Sequence, residues 1–481
     1  MSMFVVRKTR KDGMNIDNIK NKLQNYNQEH VLKWWEQLND VQCKGLLHDI
    51  ESVDFELMEK LVNQYLERKE TPISFDSIKS PKIIKIPKTE HEILHQREAK
   101  NIGEQCIRDG KVACFVVAGG QGTRLGFEGP KGAYPIGPIS ANSIFQFHAG
   151  KILNAQQKYN VKLMWYIMTS ELLHNQTVKF FEDNKYFGMD KEQVRFFPQR
   201  MLPAIDKEGK FLMSSKHEIC KSPDGHGGSL FALRESGVIQ DMMNKGIEYI
   251  SYFQVDNLIV KVLDPVFIGY HVKSGAQMSN KITPKSTPSE KVGAVVIIDN
   301  KYAVIEYSDL PKEHMCDKDK DGSLKFNAGS IAIHILNTSF VKSLTEGGIK
   351  LPYHIAEKKV SYINSDGEYI KPDNKNGIKF ETFVFDALKF ADKVTNMEVL
   401  REDEFSPIKN LTGIDSVESG KQLYMNRCAR WLKEAGVNIP FDKNGNAKIK
   451  IEISPLFANS ADDLRGKSLV SIDTTKDIYL S

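Results

Sequence analysis

The chain has 481 residues, too many for one hydrophobic core, and is expected to form about two to four domains. Its composition (41% hydrophobic, 27% charged) is that of an ordinary globular protein, and 66 basic against 62 acidic residues leave a net charge of only +4. That balance gives no global pull toward nucleic acid or an anionic membrane, so any anion must be met by local clusters of Lys and Arg.

No apolar run approaches the roughly 18 residues of a membrane-spanning helix. The basic start Met1–Gly13, with Arg7, Lys8, Arg10 and Lys11, is not followed by the apolar segment and cleavage site of a secretory signal. Six cysteines (Cys43, Cys106, Cys114, Cys220, Cys316, Cys428) without CxxC spacing read as thiols in a reducing, cytoplasmic compartment. Without a secretory signal, the three glycosylation tripeptides at Asn175, Asn337 and Asn410 are chance matches.

Apolar residues from Leu23 to Leu66 recur at spacings near three and four, which predicts helices over about 16–70. Pro72, Pro81 and Pro87 mark an extended connector. A helical stretch over 90–109 leads into Val112–Val117, a continuous apolar run ending in glycines, the pattern of a strand buried on both faces. Similar runs at Leu163–Met168, Tyr249–Val255, Val292–Ile298 and Ser330–Ile335, several separated by helical stretches, predict an α/β sheet. A helix near 418–435 should end at Gly436, followed by short strands and turns.

The strongest motif is Ala118-Gly-Gly-Gln-Gly-Thr-Arg-Leu-Gly126 with Pro130-Lys-Gly132. Four glycines after a buried strand let backbone amides approach an oxyanion, and Arg124 and Lys131 supply the neutralising charge. It is neither a Walker A loop, since no GKS or GKT follows, nor a dinucleotide fingerprint, since the sixth position from Gly120 is Leu125. Asp256 ends a strand-like run, where ligands of open α/β sheets bind. Taken alone, such an Asp serves equally well as a helix cap or as a metal ligand. Asp317-Lys-Asp-Lys-Asp-Gly322 is not an EF-hand, because the twelfth position is Ala328 where a bidentate Glu is required, so a charged hairpin is expected.

The glycine-rich loop resembles the signature of the sugar-nucleotide pyrophosphorylases, and within them the chain resembles the eukaryotic-type UDP-N-acetylglucosamine pyrophosphorylases. The likeness continues through Trp165–Ser170, Gln199–Ala204, Pro223–Gly228, Val255–Asn257, Glu306–Ser308, Phe326–Gly329, Asn376–Glu381 and Arg401–Asn410, nearly the whole chain in order. It implies a central mixed, mostly parallel nucleotide-binding sheet, with a helical N-terminal region (1–100), a catalytic domain (101–410) and a small β-rich C-terminal domain (411–481).

The resemblance also implies roles. Ala118, Gly119, Gly120, Gln199, Gly225 and Asp256 would hold the nucleotide, with Gln199 and Gly225 at the uracil. Arg124, Lys131, Lys379 and Lys409 would be the catalytic cations, and Asp256 would hold Mg²⁺. His226, Gly293, Glu306, Tyr307 and Asn327 would form the sugar site. The implied substrates are UTP and a hexosamine 1-phosphate, handled by a monomer or weak homo-oligomer.

Two positions depart from the family pattern near the sugar site. His226 stands where Asn is usual, as in relatives using glucose 1-phosphate, and Ser330 replaces the second Asn of Asn-Ala-Gly-Asn. UDP-glucose or broad UDP-sugar synthesis is therefore the nearest rival. A glycosyltransferase would be expected to show Asp-x-Asp where this chain has Val255-Asp-Asn257. A silent UDP-sugar sensor would have lost Arg124, Lys131 or Asp256, and all three are present.

Overall fold

A computed structural model describes residues 16–68, 75–467, 469 and 472–481. The basic start and Pro72 lie outside the described residues. The chain forms two compact units, each assembled from separate stretches of sequence. One comprises Met1–Ile73, Arg200–Gly228 and Pro352–Phe383, and the other Ser74–Gln199, Ser229–Leu351 and Val384–Ser481.

The larger unit is built on a nine-stranded sheet. In chain order its strands are β1 (Val112–Val117), β2 (Trp165–Thr169), β3 (Val194–Pro198), β4 (Tyr249–Gln254), β5 (Met278–Pro284), β6 (Ala294–Ile298), β7 (Lys301–Ile305), β8 (Ala328–Asn337) and β9 (Val394–Glu398). The apolar runs become strands because only a parallel, doubly covered sheet buries both faces of such a segment. All five residues of β2 and the first five of β1 are buried.

Strands β3-β2-β1-β4 pair in parallel, β8 runs antiparallel to both β4 and β5, and β9 pairs in parallel with β5. Every strand of that path except β8 thus points one way, giving the mixed, mostly parallel sheet the sequence implied. The β6–β7 hairpin joins β8 at Gly329. Of the proline-marked connector, Phe75–Ser77 forms a 3₁₀ turn, and the stretch after it is extended and bridges to the sheet at Lys79↔Ile297 and Ile84↔Met397. The Asp317–Gly322 segment is a hairpin, closed by a Lys318↔Leu324 bridge.

The smaller unit places helices Ile16–Asn25, Asp40–Ser52 and Phe55–Leu66 against short strand pairs from the other two stretches. Its core joins Leu46, Phe55 and Leu61 to Leu202, Phe211 and Phe380.

The unit boundaries differ from those expected at residues 100 and 410. The helix Glu90–Arg108 and the C-terminal segment both contribute to the large core, through Ala99, Ile107, Tyr424, Leu432 and Ile453. The C-terminal segment carries the helix Val417–Glu434 and one short parallel pair, Ile451–Ile453 with Ile478–Leu480.

Candidate active site

Four adjacent parallel strands of the larger unit end at one edge, and Ala118, Gly119, Gly120, Arg124, Lys131, Gln199 and Asp256 follow those ends. After β1, the Ala118 amide donates to the Met168 carbonyl at 2.8 Å, so the chain stays on the sheet for one more residue before it turns. Gly119 then passes β2 so closely that a Cβ would lie 3.1 Å from the Ser170 amide nitrogen. The loop closes on itself: the Gly122 amide donates to Gly129 O at 2.9 Å and the Lys131 amide to Gly120 O at 3.0 Å. Arg124 sits exposed on a single 3₁₀ turn, Thr123–Leu125, anchored by buried Leu125. Gln199, buried just after β3, is tied by its amide to Thr169 O at 2.8 Å.

Lys131 and Asp256 meet. The ammonium lies 3.1 Å from Asp256 Oδ2, and both side chains are mostly shielded. Asp256 follows β4 in a turn fixed on several sides. Its carbonyl accepts the Ile408 amide at 2.9 Å, which places Lys409 in the adjoining segment. The side chain of buried Asn257 donates to Glu404 O at 2.7 Å and accepts from the Ser406 amide at 3.0 Å. Lys409 itself lies 3.7 Å from Asp415 Oδ2.

A second group lies around β6–β8. Gly293 leaves room for a carboxylate, since a Cβ there would be 2.9 Å from Glu306 Oε1. Asn327 Oδ1 accepts the Lys285 amide at 2.9 Å. Tyr307 is 41% exposed on the surface beside Glu306. Lys285 was not singled out from the sequence. Burial lowers its ammonium below the ordinary lysine value, while Glu290 and Glu306 oppose that shift.

The smaller unit carries Gly225, His226 and Lys379. Gly225 has φ +82°, and a Cβ would lie 2.3 Å from the Thr382 carbonyl oxygen, so only glycine fits. The Thr382 amide and hydroxyl both donate to Asp224 O, at 2.7 and 2.9 Å, which locks this loop to the end of Gly377–Glu381, the strand that carries Lys379. The His226 ring stacks on Phe383 with centroids 5.2 Å apart, and Phe383 also meets His354 at 4.6 Å. Neither aromatic partner was legible beforehand, because 128 residues or more separate each from His226 in sequence.

Among the described residues no cluster of three or more His, Cys, Asp or Glu could hold a metal. The arrangement at Asp256 nonetheless suits Mg²⁺, which often takes one or two carboxylates and completes its shell with substrate phosphates and water. A protein cation, the Lys131 ammonium, already rests on that carboxylate.

A self-closed glycine-rich loop, a lysine and a single carboxylate thus meet at the C-terminal edge of the parallel strands, the arrangement expected of a nucleotide-transferring enzyme. Residues 55–463 match the model of the UTP–glucose-1-phosphate uridylyltransferase family. UDP-N-acetylglucosamine pyrophosphorylase of Saccharomyces cerevisiae is 36% identical over 457 residues, covering 91% of this chain and 94% of that one. UDP-N-acetylglucosamine diphosphorylase 2 of Arabidopsis thaliana is 34% identical over 465 residues, covering 92% and 90%. The solved uridine diphosphate N-acetylglucosamine pyrophosphorylase of Trypanosoma brucei superposes with a TM-score of 0.82 at 28% identity, over 97% of this chain and 98% of that one. The chain belongs to the UTP–glucose-1-phosphate uridylyltransferase family.

Proposed function

We propose that the protein joins UTP to N-acetylglucosamine 1-phosphate, giving UDP-N-acetylglucosamine and pyrophosphate. The carrying observation is the Lys131–Asp256 contact of 3.1 Å beside a self-closed glycine loop, which puts a phosphate-seeking cation and a metal-seeking carboxylate together. The choice of sugar follows relatives that are named for N-acetylglucosamine and aligned over nine-tenths of the chain.

The reaction forms a bond from a phosphate oxygen of the sugar 1-phosphate to the α-phosphorus of UTP and breaks the bond from that phosphorus to the β-phosphate oxygen. The attacking group needs no base, since a phosphate monoester with a second pKa of about 6 is mostly dianionic at neutral pH. The protein's work is positioning and charge stabilisation. Loop amides and Arg124 hold the departing pyrophosphate. Lys131 leaves Asp256 for the phosphates as the nucleotide enters. Lys379 and Lys409 neutralise the α-phosphate and the sugar phosphate. When bound at Asp256, Mg²⁺ supplies further neutralisation of the phosphate oxygens. Glu306 accepts hydrogen bonds from sugar hydroxyls, with Asn327, Gly293 and Tyr307 around it. Gln199 and Gly225 read uracil. His226, stacked on Phe383, serves as a hydrogen-bonding wall and not as a base.

The reading includes a monomer or weak homo-oligomer acting in the cytoplasm, the compartment supported by six cysteines without CxxC spacing, five of them buried. No helix among the described residues is long and apolar enough to cross a membrane. His226 favours glucose 1-phosphate as the alternative substrate. ³¹P NMR of UTP, Mg²⁺ and N-acetylglucosamine 1-phosphate tests the chemistry. Pyrophosphate and a UDP-sugar should accumulate together, and Asp256→Asn should slow both by at least about 10²-fold, the scale of a lost transition-state charge contact. Undiminished turnover in that variant would remove Asp256 from the mechanism.

A further inference from the structure

Three buried basic side chains lie beneath the Asp256 turn, and the chemistry above does not use them. His148 and Lys151 are on the helix Ile144–Tyr159, and Arg427 is on Val417–Glu434. Their exposures are 0%, 1% and 2%. Each donates to a backbone carbonyl within one five-residue stretch. His148 Nε2 reaches Val255 O at 2.9 Å, Lys151 Nζ reaches Leu258 O at 2.6 Å, and Arg427 Nη1 reaches Ile259 O at 2.7 Å. Asp256 stands between the first two of these carbonyls.

Burying basic groups is costly, and apolar residues of similar volume would pack such a site at least as well. Burial acts on the protonation of the two residues of the Ile144–Tyr159 helix. Burial, with Lys151 alongside, pushes the His148 imidazole well below its ordinary value. Burial, with Arg427 nearby, pulls the Lys151 ammonium well below the lysine range. The hydrogen bonds themselves need only an N–H, which His148 and Lys151 retain when neutral. What the three residues achieve together is geometric. A turn leaving a strand loses its ladder partners, and its buried carbonyls must be satisfied by something else. Here long side chains from two different helices satisfy three of them. The Ile408 amide and the Asn257 side chain fasten the same turn by further bonds.

We propose that His148, Lys151 and Arg427 are positioning residues for the Asp256 carboxylate, holding the Val255–Ile259 turn so that cation and triphosphate meet it at a fixed place. This rests on the assignment of Asp256 as the metal ligand. A misplaced carboxylate loses metal affinity even in a folded protein, because ligand geometry must be held to a fraction of an ångström.

The test is equilibrium binding of UTP with and without Mn²⁺, no sugar phosphate being present. The ratio of the two affinities measures what the protein gains from the metal. His148→Phe keeps a ring but no donor, and Lys151→Met keeps the length but no donor. Each should reduce that ratio at least tenfold with metal-free UTP affinity unchanged. His148→Gln, which places an amide donor within reach of the same carbonyl, should restore it. Ile152→Ala, a cavity variant in the same helix, should lower the melting temperature and leave the ratio alone. If Lys151→Met does not fold, the contrast between His148→Phe and His148→Gln decides. A ratio in His148→Phe equal to that of Ile152→Ala overturns the positioning role. Asp256→Asn separates the two ideas: a ratio kept in that variant sinks the Asp256 assignment itself. A ratio lost there but kept in His148→Phe overturns only the present inference.

Discussion

Arg124 and Lys131 show how two cations on one loop acquire different work. Lys131 is mostly shielded and already engaged with Asp256, so its removal exposes a carboxylate to an altered field. Arg124 is exposed on a short turn whose base is fixed by buried Leu125 and ended by Gly126 at φ +67°. Arg124→Ala should therefore leave unfolding within about 0.5 kcal/mol of the parent, as for most surface substitutions. Turnover should nevertheless fall by at least about 10²-fold through loss of charge stabilisation. Steady-state kinetics with a parallel melting curve check both, and near-normal turnover would take Arg124 out of the reaction. This loop was legible from sequence because glycine spacing and charge are local properties. The close passage of Gly119 past Ser170 and the Lys131–Asp256 contact were not, since they depend on which strands become neighbours.

Among the elements, the segment after β9 does more than its sequence suggests. The short helix Arg401–Glu404 sends the Glu404 carboxylate into the interior, where Oε1 lies 2.6 Å from the ammonium of fully buried Lys281 on β5. Lys281 also lies 2.7 Å from Asp264 Oδ2, and the second Glu404 oxygen accepts the Lys261 amide at 3.1 Å. The Glu404 carbonyl in turn accepts the Asn257 side chain, next to Asp256. Breaking a buried ion pair on one side typically costs 3–5 kcal/mol. With Asp264 still in place, Glu404→Gln is expected at the lower end, about 3 kcal/mol, read as a fall in the urea midpoint at unchanged m-value. A midpoint equal to the parent's would show that Asp264 alone satisfies Lys281. The sequence carried Arg401–Asn410 only as a family-like motif around Lys409. A glutamate in an acidic helical turn gives no sign that it will be buried against a strand more than a hundred residues earlier.

For the whole molecule, two buried histidines contribute to the acid sensitivity expected of the fold. Burial lowers His271 to about 4, opposed by the hydrogen bond its Nε2 donates to Asn337 Oδ1, and burial also pushes His148 well below its ordinary value. Below about pH 6.5 the unfolded chain takes up protons at these sites that the folded chain refuses. Stability should therefore fall as pH drops, by up to about 1.4 kcal/mol per pH unit for each site. Down to about pH 4 both sites contribute, and below it His271 protonates in the folded state and its share stops growing. Chemical unfolding between pH 7 and 4 should show this slope, and His271→Gln should flatten it; a slope unchanged in that variant would place the acid sensitivity elsewhere. The α/β class was readable because five apolar runs each became a strand at nearly the expected place. The division into units was not, because Phe380 and Leu202 join the core of the N-terminal helices only after the chain has left and returned twice. The proposed sugar rests on relatives aligned over nine-tenths of the chain, whereas His226 is one local departure from the family pattern. Pyrophosphate release from UTP and Mg²⁺ with N-acetylglucosamine, N-acetylgalactosamine and glucose 1-phosphates in parallel is the most direct test. The expected result is strong preference for N-acetylglucosamine 1-phosphate; preference for glucose 1-phosphate would contradict the sugar assignment, and silence with all three would contradict the reaction itself.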